Sequence, residues 1–161
     1  MREVILEILE KNSRLRPEEI AEMLGFQPQD IAEELGKMVD EQVICGFHTL
    51  VNWDKTSREF VTALIEVKVT PQRGMGFDKI AQRIYLFDEV KAVYLMSGGF
   101  DLTVIVEGGT IRDVAFFVSD KLAPMESVLS TATHFVLKKY KDHGIVMEKG
   151  SVTDERMIVS P

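Results

Sequence analysis

Phe60-Val61-Thr62-Ala63-Leu64-Ile65-Glu66-Val67-Lys68-Val69 is where the chain changes its hydrophobic period. Ala63, Ile65, Val67 and Val69 alternate with Thr62, Leu64, Glu66 and Lys68, the two-residue repeat of a strand with one buried face. Upstream, apolar residues recur at helical spacing. A boundary between two classes of structure therefore falls just before Phe60.

Downstream, Pro71 to Gly76 ends the strand, and Phe77, Ile80, Ala81 and Ile84 mark one face of a helix. Val90–Met96 and Asp101–Val106 read as strands joined by Ser97-Gly98-Gly99-Phe100, a hairpin signal. Thr110 with Asp113 three residues on begins another helix in capping-box fashion, with Ile111, Val114, Ala115 and Val118 on its apolar face. Val128–Leu137 is a last strand. The order β-α-β-β-α-β predicts a ferredoxin-like domain over residues 60–141. Residues 142–161 show no clear period and are expected to form a tail.

Upstream, Val4, Ile5, Ile8 and Leu9 predict a first helix. Pro17 suits the first position of a second, with Glu18 and Glu19 favourably placed at its positive end. Ile20, Ala21 and Leu24 form its buried stripe, and Gly25 supplies a left-handed cap. Pro28 opens a third helix with apolar positions Ile31, Leu35, Met38 and Val39. The short link between the second and third helices is that of a helix-turn-helix. Val43–Val51 is β-prone and predicts a small wing and connecting strand, which completes a head over residues 1–52. Residues 53–59 read as a linker.

Across its 161 residues the chain is 45% hydrophobic and 28% charged, with net charge −7. That composition supports a packed core and contains no apolar run long enough to span a membrane. Met1-Arg2-Glu3-Val4 enters a charged amphipathic pattern directly, unlike a signal peptide. The single cysteine, Cys45, excludes an internal disulfide and fits a reducing cytoplasm; its apolar surroundings predict a buried, inert thiol. His48, His134 and His143 show no metal-binding spacing with each other or with Cys45. No glycine-rich phosphate loop and no catalytic cluster appears, so neither an enzyme nor a cofactor is expected.

Four segments carry a resemblance. Arg14-Leu15-Arg16-Pro17-Glu18-Glu19-Ile20-Ala21-Glu22-Met23-Leu24-Gly25, Val43-Ile44-Cys45-Gly46-Phe47, Ser97-Gly98-Gly99-Phe100-Asp101-Leu102 and Val128-Leu129-Ser130-Thr131-Ala132-Thr133 resemble, in order and spacing, motifs of the Lrp/AsnC (feast/famine) transcriptional regulators. The resemblance implies an α+β chain: a winged helix-turn-helix that binds double-stranded DNA, joined to a RAM-type βαββαβ domain. It also implies a homodimer through the C-terminal sheets, assembling further to a tetramer or octamer. An amino acid or similar effector would bind between C-terminal domains. In such a site Ser97, Gly98, Gly99 and Phe100 would offer backbone N–H groups to a carboxylate and Asp101 would meet an ammonium, with Thr131 and Thr133 lining it. The bland alternative is that the glycines serve the turn and the threonines the strand.

The third helix departs from the family. The positions of its serine and arginine are Gln27 and Glu34, and the exposed positions are expected to be Gln29, Asp30, Glu33, Gly36, Lys37 and Asp40. Residues 1–52 carry five basic and eleven acidic side chains, net −6, against −1 for 53–161. Affinity for a duplex comes largely from neutralising phosphates with Lys and Arg. Arg14 and Arg16 remain for phosphate, and Gln27, Gln29 and Lys37 for base edges. Glu33 and Glu34 read as a solvated face. The alternative function is an amino-acid-sensing co-regulator whose acidic head contacts a protein.

Overall fold

The computed structural model describes residues 1–70 and 76–148. They divide between two compact units, the first spanning Met1–Val51 and the second beginning at Asn52.

The first unit is three helices: α1 (Arg2–Lys11), α2 (Pro17–Leu24) and α3 (Pro28–Asp40). Ile5, Leu9, Ile20, Ala21, Ile31 and Met38 form its core, with Ile8, Leu24 and Leu35 at the margin. Val4 and Val39, expected on buried faces, are exposed. Short helices packed three together cover only a narrow stripe. Gly25 ends α2 at φ 74, its N–H bonded to the Ala21 carbonyl at 2.8 Å. A side chain at that backbone angle would be strained, so Gly25 sets the turn into α3.

The expected wing does not form: residues 41–60 contain no strand. The N–H groups of Val43 and Ile44 both bond back to the Met38 carbonyl, and Gln42 turns the chain at φ 58. Those donors terminate α3 and are lost to a ladder, and nothing within the unit offers a facing strand. Cys45 is consequently exposed rather than buried, its S–H 3.3 Å from the Gln42 carbonyl.

The second unit opens with order where a linker was expected. Trp53–Lys55 is a 3-10 turn, Trp53 lies 5.4 Å from the Phe60 ring, and the Arg58 guanidinium sits 4.7 Å over Trp53. The antiparallel sheet of β1 (Val61–Val69), β2 (Val90–Leu95), β3 (Leu102–Gly108) and β4 (Val128–Phe135) has the order β2-β3-β1-β4. β1 is central because both its neighbours pair with it: Ile65 faces Val104 and Thr133, and Val67 faces Leu102 and Thr131.

Helices α4 (Phe77–Tyr85) and α5 (Ile111–Phe116) supply Ile80, Ile84 and Val114 to a core with Ala63, Ile65, Val67, Val69, Leu102, Val104 and Val106. The Thr110–Asp113 capping box is present, with bonds of 2.8 and 3.1 Å. The face expected for α5 is revised. Ile111 and Ala115 are exposed, because α5 continues into a π-helical turn, Phe117–Leu122, that swings Phe117 and Leu122 into the core. The wider turn changes which residues share a face. The expected break at Pro71 to Gly76 lies, except for Gly76, outside the described residues.

The tail expected from residue 142 begins instead as a hairpin. β5 (Lys141–Asp142) pairs with β6 (Ile145–Val146) across His143 and Gly144, both at positive φ (44 and 78). That is the backbone of a tight two-residue turn. Residues 149–161 lie outside the description. Among the described residues no helix is long and apolar enough to cross a membrane, and none of their His, Cys, Asp and Glu side chains group to hold a metal ion.

Among the described residues one buried side-chain polar atom stands alone. The Ser127 hydroxyl is buried with no hydrogen-bond partner, although its carbonyl accepts the Thr70 N–H at 2.9 Å. Burying an unpaired hydroxyl costs about 1–3 kcal/mol. Ser127→Ala should therefore melt no lower than the native protein, and up to about 1 kcal/mol more stable. A clear loss in a thermal melt would show that the hydroxyl is bonded.

Candidate functional site

The α2–Gly25–α3 turn presents α3 outward. Gln29, Asp30, Glu33, Gly36, Lys37 and Asp40 are all exposed, as the helical wheel requires. The candidate DNA contacts differ in what already engages them. Gln29 donates to Glu33 at 3.2 Å, Lys37 lies 3.8 Å from Glu34, and Arg16 lies 3.4 Å from Glu19. The Glu19 carboxyl also accepts the Arg16 backbone N–H at 2.8 Å, which holds it below its ordinary range. Arg14 and Gln27 are exposed, and the Gln27 carbonyl starts α3 by accepting the Asp30 N–H at 3.1 Å.

Glu34 is not part of a solvated face. Its side chain is only 12% exposed and pairs with Arg2 of α1, whose guanidinium also bonds Glu41, the residue that caps α3. Hydrogen bonds donated to Glu41 first and Glu34 second raise the Arg2 guanidinium further above its ordinary value, and Arg2 in turn lowers Glu41. Thirty-two residues separate Arg2 from Glu34, so no local sequence signal announces the pair. One acidic charge of α3 is thereby spent inside the unit.

Glu34→Arg, the change that would restore the family's basic residue, should lower the melting temperature of the protein. It places a cation beside Arg2 in a half-closed site. Glu34→Gln, which keeps a hydrogen-bond acceptor, should cost less. Equal melting of both variants and the native chain would remove the pair from the account. The Glu41 contribution is complete above about pH 4.3 and is lost as pH falls through its lowered value.

At the hairpin end of the sheet, Asp101 has a structural duty. One carboxylate oxygen accepts the Val69 N–H at 2.9 Å, and the Asp101 N–H donates to the Val67 carbonyl at 3.0 Å. The Asp101 carbonyl accepts the Met96 N–H at 2.8 Å, closing the loop of Ser97, Gly98, Gly99 and Phe100. Of the two glycines only Gly98, at φ 124, needs to be one for the turn. A Cβ on Gly98 or Gly99 would meet nothing within 4 Å, so the loop backbone is open to approach.

Thr131 and Thr133 lie on β4, across β1 from that hairpin, roughly 9–10 Å away at the sheet spacing. Paired residues of antiparallel strands share a face, so these threonines point with Val67 and Ile65 toward the helix side. Thr131 and Asp101 share one end of the sheet. Thr133 sits nearer its middle.

Among the described residues of this unit, α4 and α5 pack on the Ile65 and Val67 side of the sheet and neither contributes to the other face. Leu64 and Ile105 pair at its centre, flanked by Thr62, Glu66, Thr103 and Glu107, with Ala92 and Tyr94 of β2 and Ala132 and His134 of β4 beside them. Tyr94 is 55% exposed. Sequence periodicity locates this face through Leu64 and Glu66, but not what occupies it.

A family model described as the Lrp/AsnC ligand binding domain matches residues 62–146, from the start of β1 through β6. The uncharacterized HTH-type transcriptional regulator YugG of Bacillus subtilis is 51% identical over 158 residues, 98% of this chain and 95% of that protein. The proline dehydrogenase transcriptional activator of Rhizobium radiobacter is 26% identical over 141 residues, 88% of this chain and 90% of that one. A Neisseria meningitidis transcriptional regulator, solved as its L-methionine complex, has the same fold, with TM-score 0.70 at 21% identity over 88% of this chain and 91% of its own. A sheet unit matched from first strand to last, and a regulator half identical along nearly its whole length, place this chain in the Lrp/AsnC family of helix-turn-helix transcriptional regulators.

Proposed function

We propose that this regulator binds double-stranded DNA through α2 and α3 and senses an amino acid or related small molecule at the hairpin end of its sheet. Two copies join through the helix-free sheet face. The observation that carries the reading is the outward-facing α3 after the left-handed turn at Gly25, in a chain whose relatives are named HTH-type transcriptional regulators. Gln27, Gln29 and Lys37 stand where base edges would be met, and Arg14 and Arg16 where phosphates would.

For the effector, the loop 97–100 offers backbone N–H groups to a carboxylate, and the second Asp101 oxygen offers a partner to an ammonium. L-methionine complexes of two regulators with this fold support an amino acid as the ligand class. Thr131 and Thr133 face the helix side of the sheet, so any part they take in the effector site is from that side and not from the face through which the two copies join. An effector that prefers one assembly shifts the assembly equilibrium and with it the spacing of the heads. We read the chain as a regulator rather than an enzyme, acting in the cytoplasm with the DNA.

The test is binding of the full chain to labelled DNA from upstream of its own gene, with and without a mixture of the proteinogenic amino acids. Specific binding that the mixture strengthens or weakens supports the reading. Unchanged binding removes the effector claim for that ligand class. A second reading, an acidic head that contacts a protein instead of DNA, is favoured by Asp30, Glu33 and Asp40 exposed against a single exposed Lys37 on α3. Absence of specific duplex binding by the assembled protein would select it.

A further inference from the structure

We propose that the His134–Glu66 pair makes assembly through the helix-free sheet face pH-dependent, tighter in mild acid than in mild base. The proposal rests on the reading of that face as the contact between copies. His134 Nε2 lies 3.4 Å from Glu66 Oε1, diagonally across β4 and β1, with the two side chains 58% and 37% exposed.

The charges around the pair decide what covering it would do. Glu66 sits mid-strand, opposite Thr103 on β3 and Ala132 on β4. Lys68 stands at the exposed end of β1. Glu107, at the far end of β3, has Lys139 at 4.0 Å, and Lys139 also reaches Asp142 at 3.6 Å. On β2 the titratable groups are Tyr94, opposite Thr103, and Lys91, at the bulge between Val90 and Ala92, whose ammonium donates to the Asp88 carbonyl at 3.0 Å. Among the described residues, His134 is the cation within ion-pair distance of Glu66, while Lys68, two residues along β1 on the same face, stands exposed at the strand's end.

In the free chain, water solvates Glu66 whether or not His134 is protonated, so the pair matters little. A second copy removes that water. With His134 neutral, each copy then contributes a carboxylate without a full counter-charge, which opposes assembly. With His134 protonated, the covered pair is neutral overall. Assembly is thus favoured with His134 protonated. It is therefore tightest where histidine is protonated and weakens as pH rises through the ordinary histidine range, about 6.5. Histidine is the side chain suited to this range. Because assembly sets the spacing of the DNA-binding heads, proton concentration acts on the same equilibrium as the effector.

The experiment measures the dissociation constant of the full-length dimer by fluorescence-detected sedimentation between about pH 6 and about pH 8. Ionic strength is fixed, and a constant urea concentration brings dissociation into range. The native protein should weaken by at least about tenfold over this span, given two histidines per dimer. His134→Gln should flatten the dependence. Glu66→Gln should hold tight binding at the upper pH and abolish or invert the dependence, because protonated His134 would then be the covered charge without a partner, while His143→Gln should leave it intact. A native dissociation constant that changes by less than about twofold, or a slope retained in His134→Gln, overturns the proposal. A protein monomeric at both pH values, or one whose assembly survives Ile105→Asp, overturns the sheet-face reading itself, and the proposal with it.

Discussion

Ile105→Asp should leave a monomer where the native chain assembles. Ile105 pairs with Leu64 at the centre of the helix-free face. A carboxylate there meets water in the free chain, so the isolated fold should tolerate it. In the assembly it would be an unpaired buried charge, costing about 3–5 kcal/mol in each copy. Two copies together would raise the dissociation constant by about four orders of magnitude or more. Ile105→Leu, of similar volume, should assemble normally. Light scattering that gives the native mass for Ile105→Asp would place the contact between copies elsewhere.

Asp101→Ala should destabilise the protein in the absence of any effector. Its carboxylate holds the Val69 N–H at the end of β1, in a half-buried position. Removing that acceptor leaves a donor unpaired at about 1–3 kcal/mol. Asp101→Asn keeps an oxygen for the same N–H and should recover most of the loss. If Asp101 also meets an effector's ammonium, the asparagine variant should stay stable yet lose the effector's thermal shift. The two variants thus separate the structural duty from the charge. An alanine variant with unchanged apo melting would show that the Val69 bond contributes nothing.

Much of the fold was legible because its elements follow local rules. The alternation of Ala63, Ile65, Val67 and Val69, the Thr110–Asp113 capping box and the prolines at the starts of α2 and α3 each act within a few residues. The misplaced features depend on partners distant in sequence or absent. Val43–Val51 has strand composition, but composition cannot supply a facing strand, and the donors at Val43 and Ile44 went to the end of α3. The tail's first residues form a hairpin because His143 and Gly144 both take positive φ, a conformation uncommon outside glycine even though histidine is among the residues enriched in it. The π-helical turn that brings in Phe117 and Leu122 breaks the very period by which a helix face is recognised.

The candidate site was legible to a similar depth. The hairpin loop and the outward face of α3 follow from residue order. What Asp101 and Glu34 do follows from contacts across 32 residues of chain, Asp101 with Val69 and Glu34 with Arg2. Residue order alone offers Asp101 to a ligand's ammonium and Glu34 to solvent. In the fold, each is already engaged by its own chain.

An acidic head that reads DNA with few phosphate contacts depends on the assembly for affinity. That reliance is tested most directly by the salt dependence of binding to an upstream fragment holding repeated sites, compared with a single half-site. Each neutralised phosphate contributes about 0.9 to the slope of log K against log salt. With Arg14 and Arg16 as the phosphate contacts of each head, the slope should be shallow. Repeated heads should bind the longer fragment far more tightly than the half-site, through effective concentration. Nanomolar binding to the isolated half-site with a steep slope would contradict the account, because it would place the DNA-reading surface outside α2 and α3.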